Sequence, residues 1–195
     1  MCEARQGRTL TVDRQREQAL IKAAQRGDQN AFAALYRAYV DKIYRYILFR
    51  VESIQTAEDL TAEVFLRMVE SLPNYEDRNT PLLVWLYRIA HARVIDHYRR
   101  YKRTAEQASL DSVEIAADLD LDSNLLTEYR VDQLRAALSR LTDSQRQVII
   151  LRFIEGYSLE ATAQALDKTV DAIKALQYRA LQALAAALRA QGYEA

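Results

Sequence analysis

The chain has 195 residues, of which 50% are hydrophobic and 28% are charged, and it contains 4 glycines and 2 prolines. This length suits one medium-sized domain or two small ones, and the apolar content argues against disorder throughout. A β-sandwich or β-barrel needs frequent turns, and turns are rich in Gly and Pro, of which this chain has few. The composition therefore predicts an all-α protein.

Charge is distributed unevenly, although the 27 Lys/Arg and 27 Asp/Glu residues cancel. Residues 1–103 carry 18 basic and 13 acidic side chains, a net charge of +5. Residues 104–132 carry 1 and 8, a net of −7, and residues 133–195 carry 8 and 6, a net of +2. An acidic connector between two mildly basic ends points to a polyanionic partner for the ends.

The sequence gives little support for a metal, a cofactor or a membrane span. Cys2 is the single cysteine, which excludes an intrachain disulfide and a cysteine zinc cluster. His91 and His97 are six residues apart and do not share a helix face, so no metal site is expected. No apolar run has the length of a membrane span, and residues 1–18 lack the apolar core of a secretory signal. We therefore expect a cytoplasmic protein without a cofactor.

Helix boundaries are marked by capping and breaking residues in chain order. Helices are predicted to begin after capping residues, which are Asp28, Thr56, Thr80, Thr142 and Thr169. They are predicted to end near Gly27, Pro73 and Gly156. The predicted organisation is a tail over 1–18, a helical domain over 19–103, a flexible acidic linker over 104–128 and a second helical domain over 129–195.

The second domain contains the pattern of a helix–turn–helix. A short helix from Ser158 to Leu166 is followed by a tight turn and a longer helix that begins after Thr169. Ala163 is small where the two helices would cross. The residues that remain for phosphates and base edges are Lys168, Thr169, Lys174, Gln177, Tyr178 and Arg179.

Basic and aromatic residues interleave along the predicted helix over 82–103, where arginines can grip phosphates and rings can stack on unpaired bases. An acidic segment at 57–63 precedes Phe65 and Leu66, a combination that fits a protein-binding edge. The sequence lacks the glycine-rich and catalytic motifs of common enzyme classes. We therefore do not expect an enzyme.

Two motif blocks resemble a known family. AEDLTAEVFLR (57–67), WLYRIA (85–90) and DHYRR (96–100) resemble region 2 of bacterial extracytoplasmic-function (ECF) sigma factors, of the sigma-70 superfamily. LTDSQRQVI (141–149), EGYS (155–158) and the stretch that follows resemble their region 4. The resemblance implies an all-α chain of two small helical domains, a region 2-like bundle and a region 4-like helix–turn–helix, joined by the acidic linker.

The resemblance also implies roles for individual residues. Those that match the core polymerase-binding helix are Asp59, Leu60, Glu63 and Phe65. Those expected at the −10 promoter element are Asn74, Tyr75, Arg78, Asn79, Arg88, His91, Arg99 and Arg100. The helix–turn–helix residues named above would read the −35 element. The implied partners are core RNA polymerase (the clamp of its largest subunit and the flap of the second), promoter DNA and an anti-sigma factor, all in the bacterial cytoplasm.

Two other interpretations stay open from the residues alone. A stand-alone helix–turn–helix regulator with an N-terminal dimerisation or sensor domain would bind palindromic half-sites as a dimer. It would leave the basic–aromatic helix and the acidic linker without a role. A helical interaction protein with no DNA role would keep its activity after neutralisation of Lys174 and Arg179.

Overall fold

The computed structural model describes residues 14–77, 80–108 and 125–192. These residues form eight α-helices and no β-strand, as the composition predicts. The helices are α1 (Arg14–Gln25), α2 (Gln29–Leu48), α3 (Ile54–Ser71), α4 (Leu82–Ala108), α5 (Leu125–Ser139), α6 (Asp143–Ile149), α7 (Leu159–Leu166) and α8 (Val170–Arg189). A 3-10 turn over Leu72–Asn74 follows α3, and a π-helical turn over Ile150–Ile154 follows α6. None of the helices in the described ranges is both long and apolar enough to cross a membrane.

Local hydrogen bonds explain most of the helix starts. Asp28 accepts from the amides of Asn30 and Ala31, and Thr169 accepts from that of Ala172. Thr142 and Gln145 form the predicted capping box. The predicted start at Thr56 is wrong by about one turn. Ser53 caps α3, because its hydroxyl oxygen accepts from the amide of Thr56, which places Thr56 within the first turn of the helix.

The described helices extend into both segments that were predicted to lie outside the domains. Helix α1 begins at Arg14 and buries Glu17, so the last five residues of the predicted tail over 1–18 pack with the first domain. Helix α4 continues to Ala108 and α5 starts at Leu125, inside the predicted linker over 104–128. The remainder of the tail and of the linker lies outside the described residues.

Helices α1 to α4 form the first bundle. Leu35, Tyr39, Ile43 and Ile47 are buried along α2 at helical spacing and contribute to a single core with α3 and α4. In the second domain, Ala163 of α7 and Ile173 of α8 are buried together with Val148. The small side chain at the crossing is what the sequence predicts for a helix–turn–helix. Asp167 has the left-handed conformation in the turn (φ 55°, ψ 49°), which Asp tolerates better than most residues.

The two domains are docked on one another. The buried cluster of the first bundle also contains Ile150, Leu151 and Tyr157 of the second domain, and α4 packs on α7. Polar contacts cross the same boundary. Arg45 forms a bidentate ion pair with Glu155 at 2.7 Å and 3.0 Å, and the buried Arg50 pairs with Asp143. A shared core and two ion pairs, each with one buried partner, hold the domains in this arrangement.

Candidate nucleic-acid interface

An open cleft of about 710 Å³ lies between the end of α3 and the start of α4. Its walls include Asn74, Tyr75, Trp85 and Arg88. The ring of Tyr75 is 4.8 Å from that of Trp85, at an interplanar angle of 47°. Arg88 is exposed one helical turn beyond Trp85. The cleft therefore offers two aromatic surfaces beside a cation, which suits a flipped or unpaired base and its phosphate.

The cleft gathers part of the residue set expected at the −10 element. Asn74, Tyr75 and Arg88 line it together. Trp85 was absent from that predicted set because it lies on the apolar stripe of α4, but the structure leaves it half-buried and facing Tyr75. The sequence feature that could have identified Trp85 as a cleft residue is its position among the basic and aromatic residues of α4. Arg78 and Asn79 lie outside the described residues.

His91 faces the second domain rather than the cleft. Its Nδ1 lies 2.6 Å from Nε2 of Gln147 and 3.8 Å from a carboxylate oxygen of Asp143. Burial lowers the pKa of His91, the nearby Arg50 lowers it further, and Asp143 opposes the shift. With the Gln147 amide as the donor, Nδ1 of His91 accepts this hydrogen bond. In this arrangement His91 lies between the two domains and does not line the cleft, and its expected role in base capture stays a prediction.

Arg99 and Arg100 lie further along α4 with their guanidinium groups exposed. Arg99 is 3.7 Å from Asp96, and Arg100 is 4.0 Å from Glu63. Both contacts are long and solvent-exposed, and such pairs contribute about 0–1 kcal/mol. The Arg99 side chain can therefore turn to a phosphate backbone at little energetic cost.

The recognition helix α8 presents its first turns to solvent. Lys168, Lys174 and Arg179 are exposed, and Tyr178 is 65% exposed. The hydroxyl of Thr169 accepts from the amide of Ala172 in capping α8, and its own O–H group can still donate to a phosphate.

Gln177 accepts a hydrogen bond of 2.8 Å from Nε of Arg152, on the π-helical turn. No sequence pattern points to this role of Arg152, since its partner lies 25 residues away. This contact orients the side-chain amide that is predicted to read a base.

The acidic helix α3 has a mixed outer face. Leu60 and Phe65, two of the four residues predicted to bind polymerase, are 3% and 4% exposed and belong to the core. They can support a contact surface but do not form one. Asp59 and Glu63 reach solvent, and the exposed apolar residues beside them are Leu66 and Val69. The surface available to a partner is therefore an apolar patch edged by carboxylates.

Comparisons with known proteins fit this geometry. The family model "Sigma-70 region 2" matches residues 35–104, and "Sigma-70, region 4" matches residues 137–186. The ECF RNA polymerase sigma factor BldN of Streptomyces coelicolor is 36% identical over 178 residues, 89% of this chain and 66% of BldN. The ECF RNA polymerase sigma factor SigD of Mycobacterium tuberculosis is 32% identical over 181 residues, 90% of this chain and 85% of SigD.

A solved structure shares the fold. The sigma factor RpoE of Bartonella quintana, in complex with the anti-sigma factor NepR, has a TM-score of 0.64 at 20% identity, over 81% of this chain and 96% of that one. Two family models in the expected order and relatives matched over most of the chain agree with the cleft and the helix–turn–helix. The chain belongs to the extracytoplasmic-function sigma factors of RNA polymerase.

Proposed function

We propose that this chain binds core RNA polymerase and directs promoter-specific transcription initiation, with region 2 reading the −10 element and region 4 the −35 element. One observation carries the proposal. A single chain of this family combines an aromatic cleft suited to unpaired bases with an exposed helix–turn–helix suited to duplex DNA. The polymerase supplies the chemistry, so the chain acts as a specificity subunit and not as an enzyme. Its place is the bacterial cytoplasm, where polymerase and promoter meet.

At the −10 element, we assign the cleft to melted bases. Tyr75 and Trp85 supply stacking surfaces, each worth about 1–3 kcal/mol per base. Asn74 adds an amide that can bond a base edge, and Arg88 adds a phosphate contact. Arg99 and Arg100 extend the positive surface along α4 toward the flanking backbone.

At the −35 element, the first turns of α8 enter the major groove. Lys174 and Gln177 carry the groups that pair with guanine and adenine edges. Lys168, Thr169, Tyr178 and Arg179 are placed to hold the backbone on either side. The net charge of +2 over residues 133–195 predicts weak binding by region 4 alone, so polymerase docking must add affinity.

The outer face of α3 is our proposed polymerase contact. Asp59 and Glu63 provide charge, and Leu66 and Val69 provide apolar area. Because the related RpoE was solved with an anti-sigma factor, we propose that an anti-sigma factor also regulates this chain.

Promoter binding requires the domains to separate. In the docked arrangement, Nη2 of Arg88 in the cleft is 3.8 Å from the carboxylate of Asp167 in the turn of the helix–turn–helix. The −35 and −10 elements lie about 25 base pairs apart, which is about 85 Å along B-DNA at 3.4 Å per base pair. While the cleft and the helix–turn–helix lie this close together, they cannot contact the −10 and −35 elements at the same time. We therefore interpret the docked arrangement as a resting form.

Co-elution with core polymerase tests the docking surface. Glu63→Arg reverses a charge within the proposed contact and is expected to abolish co-elution on size exclusion. Asp41→Arg is the matched control, since it makes the same change at an exposed position of α2. Co-elution of the Glu63 variant at the level of wild type would remove α3 from the polymerase interface.

A further inference from the structure

Helix α1 lies before the stretch that the region 2 family model covers, which starts at residue 35. It nevertheless carries one of the few buried charged side chains in the described chain, that of Glu17, which is 1% exposed. A carboxylate at such a position needs hydrogen-bond partners, because its burial is otherwise strongly unfavourable. Two of the partners of Glu17 connect it to the cleft: Leu82 begins α4, and Arg14 also donates to the carbonyl of Thr80, a residue of the cleft wall.

The Glu17 carboxylate caps helix α4 from outside that helix. Its Oε1 accepts from the backbone amide of Leu82, the first residue of α4, at 3.2 Å. The hydroxyl of Tyr39 donates to the same oxygen, and Nη1 of Arg14 donates to Oε2 at 2.7 Å. The first amides of a helix have no partner within it, and the helix dipole favours a negative charge there. Trp85 follows Leu82 by three residues, so this cap fixes the part of α4 that forms the cleft.

Further contacts from α1 hold the segment on the other side of the cleft. Nε2 of Gln25 donates to the carbonyls of Leu72 at 3.0 Å and Tyr75 at 2.8 Å. Nε2 of Gln18 donates to Asp77 at 2.9 Å. The two stacking residues, Tyr75 and Trp85, are therefore each tied to α1 through their own backbone segment.

We propose that α1 positions the base-capture cleft, with Glu17 and Gln25 as positioning residues that hold Trp85 and Tyr75 at stacking distance before DNA arrives. Neither side chain is a cleft residue, so each acts through the backbone it holds. A preformed cleft spares the ordering of a loop and a helix end on binding, which strengthens capture of melted DNA. The inference rests on the assignment of this cleft to the −10 element.

Three variants and a control separate positioning from folding. Gln25→Ala releases the Tyr75 carbonyl without leaving a buried charge. Glu17→Ala removes the cap, whereas Glu17→Gln keeps an oxygen for the Leu82 amide and should retain much of it. Lys22→Ala, at an exposed position of the same helix, is the matched control. All are made in the full chain and reconstituted with core polymerase.

The template is a promoter fragment on which the wild-type holoenzyme gives a discrete transcript. Two quantities are measured for each variant: its affinity for core polymerase, and the half-life of the open complex, by permanganate footprinting of unpaired thymines after heparin challenge. Gln25→Ala and Glu17→Ala should shorten the half-life by about tenfold, because the first removes two hydrogen bonds to carbonyls and the second removes a bond to a charged group. Core affinity should stay within about twofold, Glu17→Gln should recover most of the half-life, and Lys22→Ala should match wild type.

The outcomes distinguish a positioning role from a general structural role, and both from failure of the proposed function. Open-complex half-lives equal to wild type in the folded Glu17→Ala and Gln25→Ala variants would overturn the inference. Equal losses of core affinity and open-complex half-life would also overturn it, since they indicate a general structural role. Should Glu17→Ala fail to fold, Gln25→Ala decides alone. Failure of the wild type to give a transcript on any promoter would instead count against the proposed function itself.

Discussion

Arg45→Ala should shift the protein from the docked to the separated arrangement. Arg45 of α2 donates from Nε and Nη2 to the two carboxylate oxygens of Glu155, at 2.7 Å and 3.0 Å. The side chain of Glu155 is 1% exposed and that of Arg45 is 39% exposed. Glu155 also holds the pKa of Arg45 above its ordinary value through this hydrogen bond. The pair is thus a charged contact that exists only while the two domains are docked.

The size of the shift follows from the burial of Glu155. Removing one partner of a buried ion pair destabilises a structure by about 3–5 kcal/mol, because the remaining charge is left buried. Since Arg45 is partly exposed, water screens the pair, and about 2 kcal/mol is the better figure here. Separation returns Glu155 to water, so the penalty falls on the docked form alone. At about 1.4 kcal/mol per factor of ten, the population ratio should move about 30-fold toward separation.

Single-molecule energy transfer can measure this ratio. Dyes placed at Gln55→Cys in the first domain and Gln182→Cys in the second, with Cys2 replaced by Ser, report the distance between domains. Arg37→Ala is the matched control, an exposed arginine of the same helix without a domain-crossing ion pair among those the structure shows. A distance distribution in Arg45→Ala that is identical to those of wild type and Arg37→Ala would refute the reasoning.

Three further predictions concern the two DNA faces and the domain boundary. Trp85→Ala removes a stacking surface worth about 1–3 kcal/mol, so the open-complex half-life should fall about tenfold or more while holoenzyme affinity for −35 duplex stays constant; a normal half-life would exclude stacking on Trp85. Lys174→Ala should weaken −35 duplex binding by about 1–3 kcal/mol in gel-shift titrations with holoenzyme, and unchanged affinity would remove Lys174 from the reading face. Because burial and Arg50 lower the pKa of His91, the docked form binds fewer protons than the separated form and loses stability as pH falls below the ordinary value of 6.5. Energy transfer should therefore decrease between about pH 7 and about pH 5.5 in wild type but less in His91→Gln, and equal profiles would exclude His91 as the sensor.

Features set by neighbouring residues were predictable from the sequence. The caps at Asp28, Thr142 and Thr169 each involve an acceptor and an amide two or three residues apart, so spacing alone identifies them. The helix–turn–helix followed in the same way from Ala163 and the turn after Leu166. The helices and the exposed face of α8 were therefore predictable from residues that are close in the sequence.

Features set by distant residues were not predictable from spacing. Glu17 is buried because Tyr39 and Leu82, 22 and 65 residues away, converge on it. His91 faces Gln147 across 56 residues, and the periodicity of α4 carries no sign of that contact. Phe65 and Leu66 are adjacent and both apolar, yet packing against α2 buries the first and leaves the second exposed. Long-range packing determines which side chains of each motif are exposed and which are buried.

Run-off transcription tests the central claim most directly. Purified protein is added to bacterial core polymerase with genomic fragments, beginning with the region upstream of its own gene. We predict a discrete transcript that is absent with core polymerase alone, that is lost with Glu63→Arg, and that is strongly reduced with Trp85→Ala. Absence of a transcript from every fragment, together with failure of the wild-type chain to co-elute with core polymerase, would contradict the account.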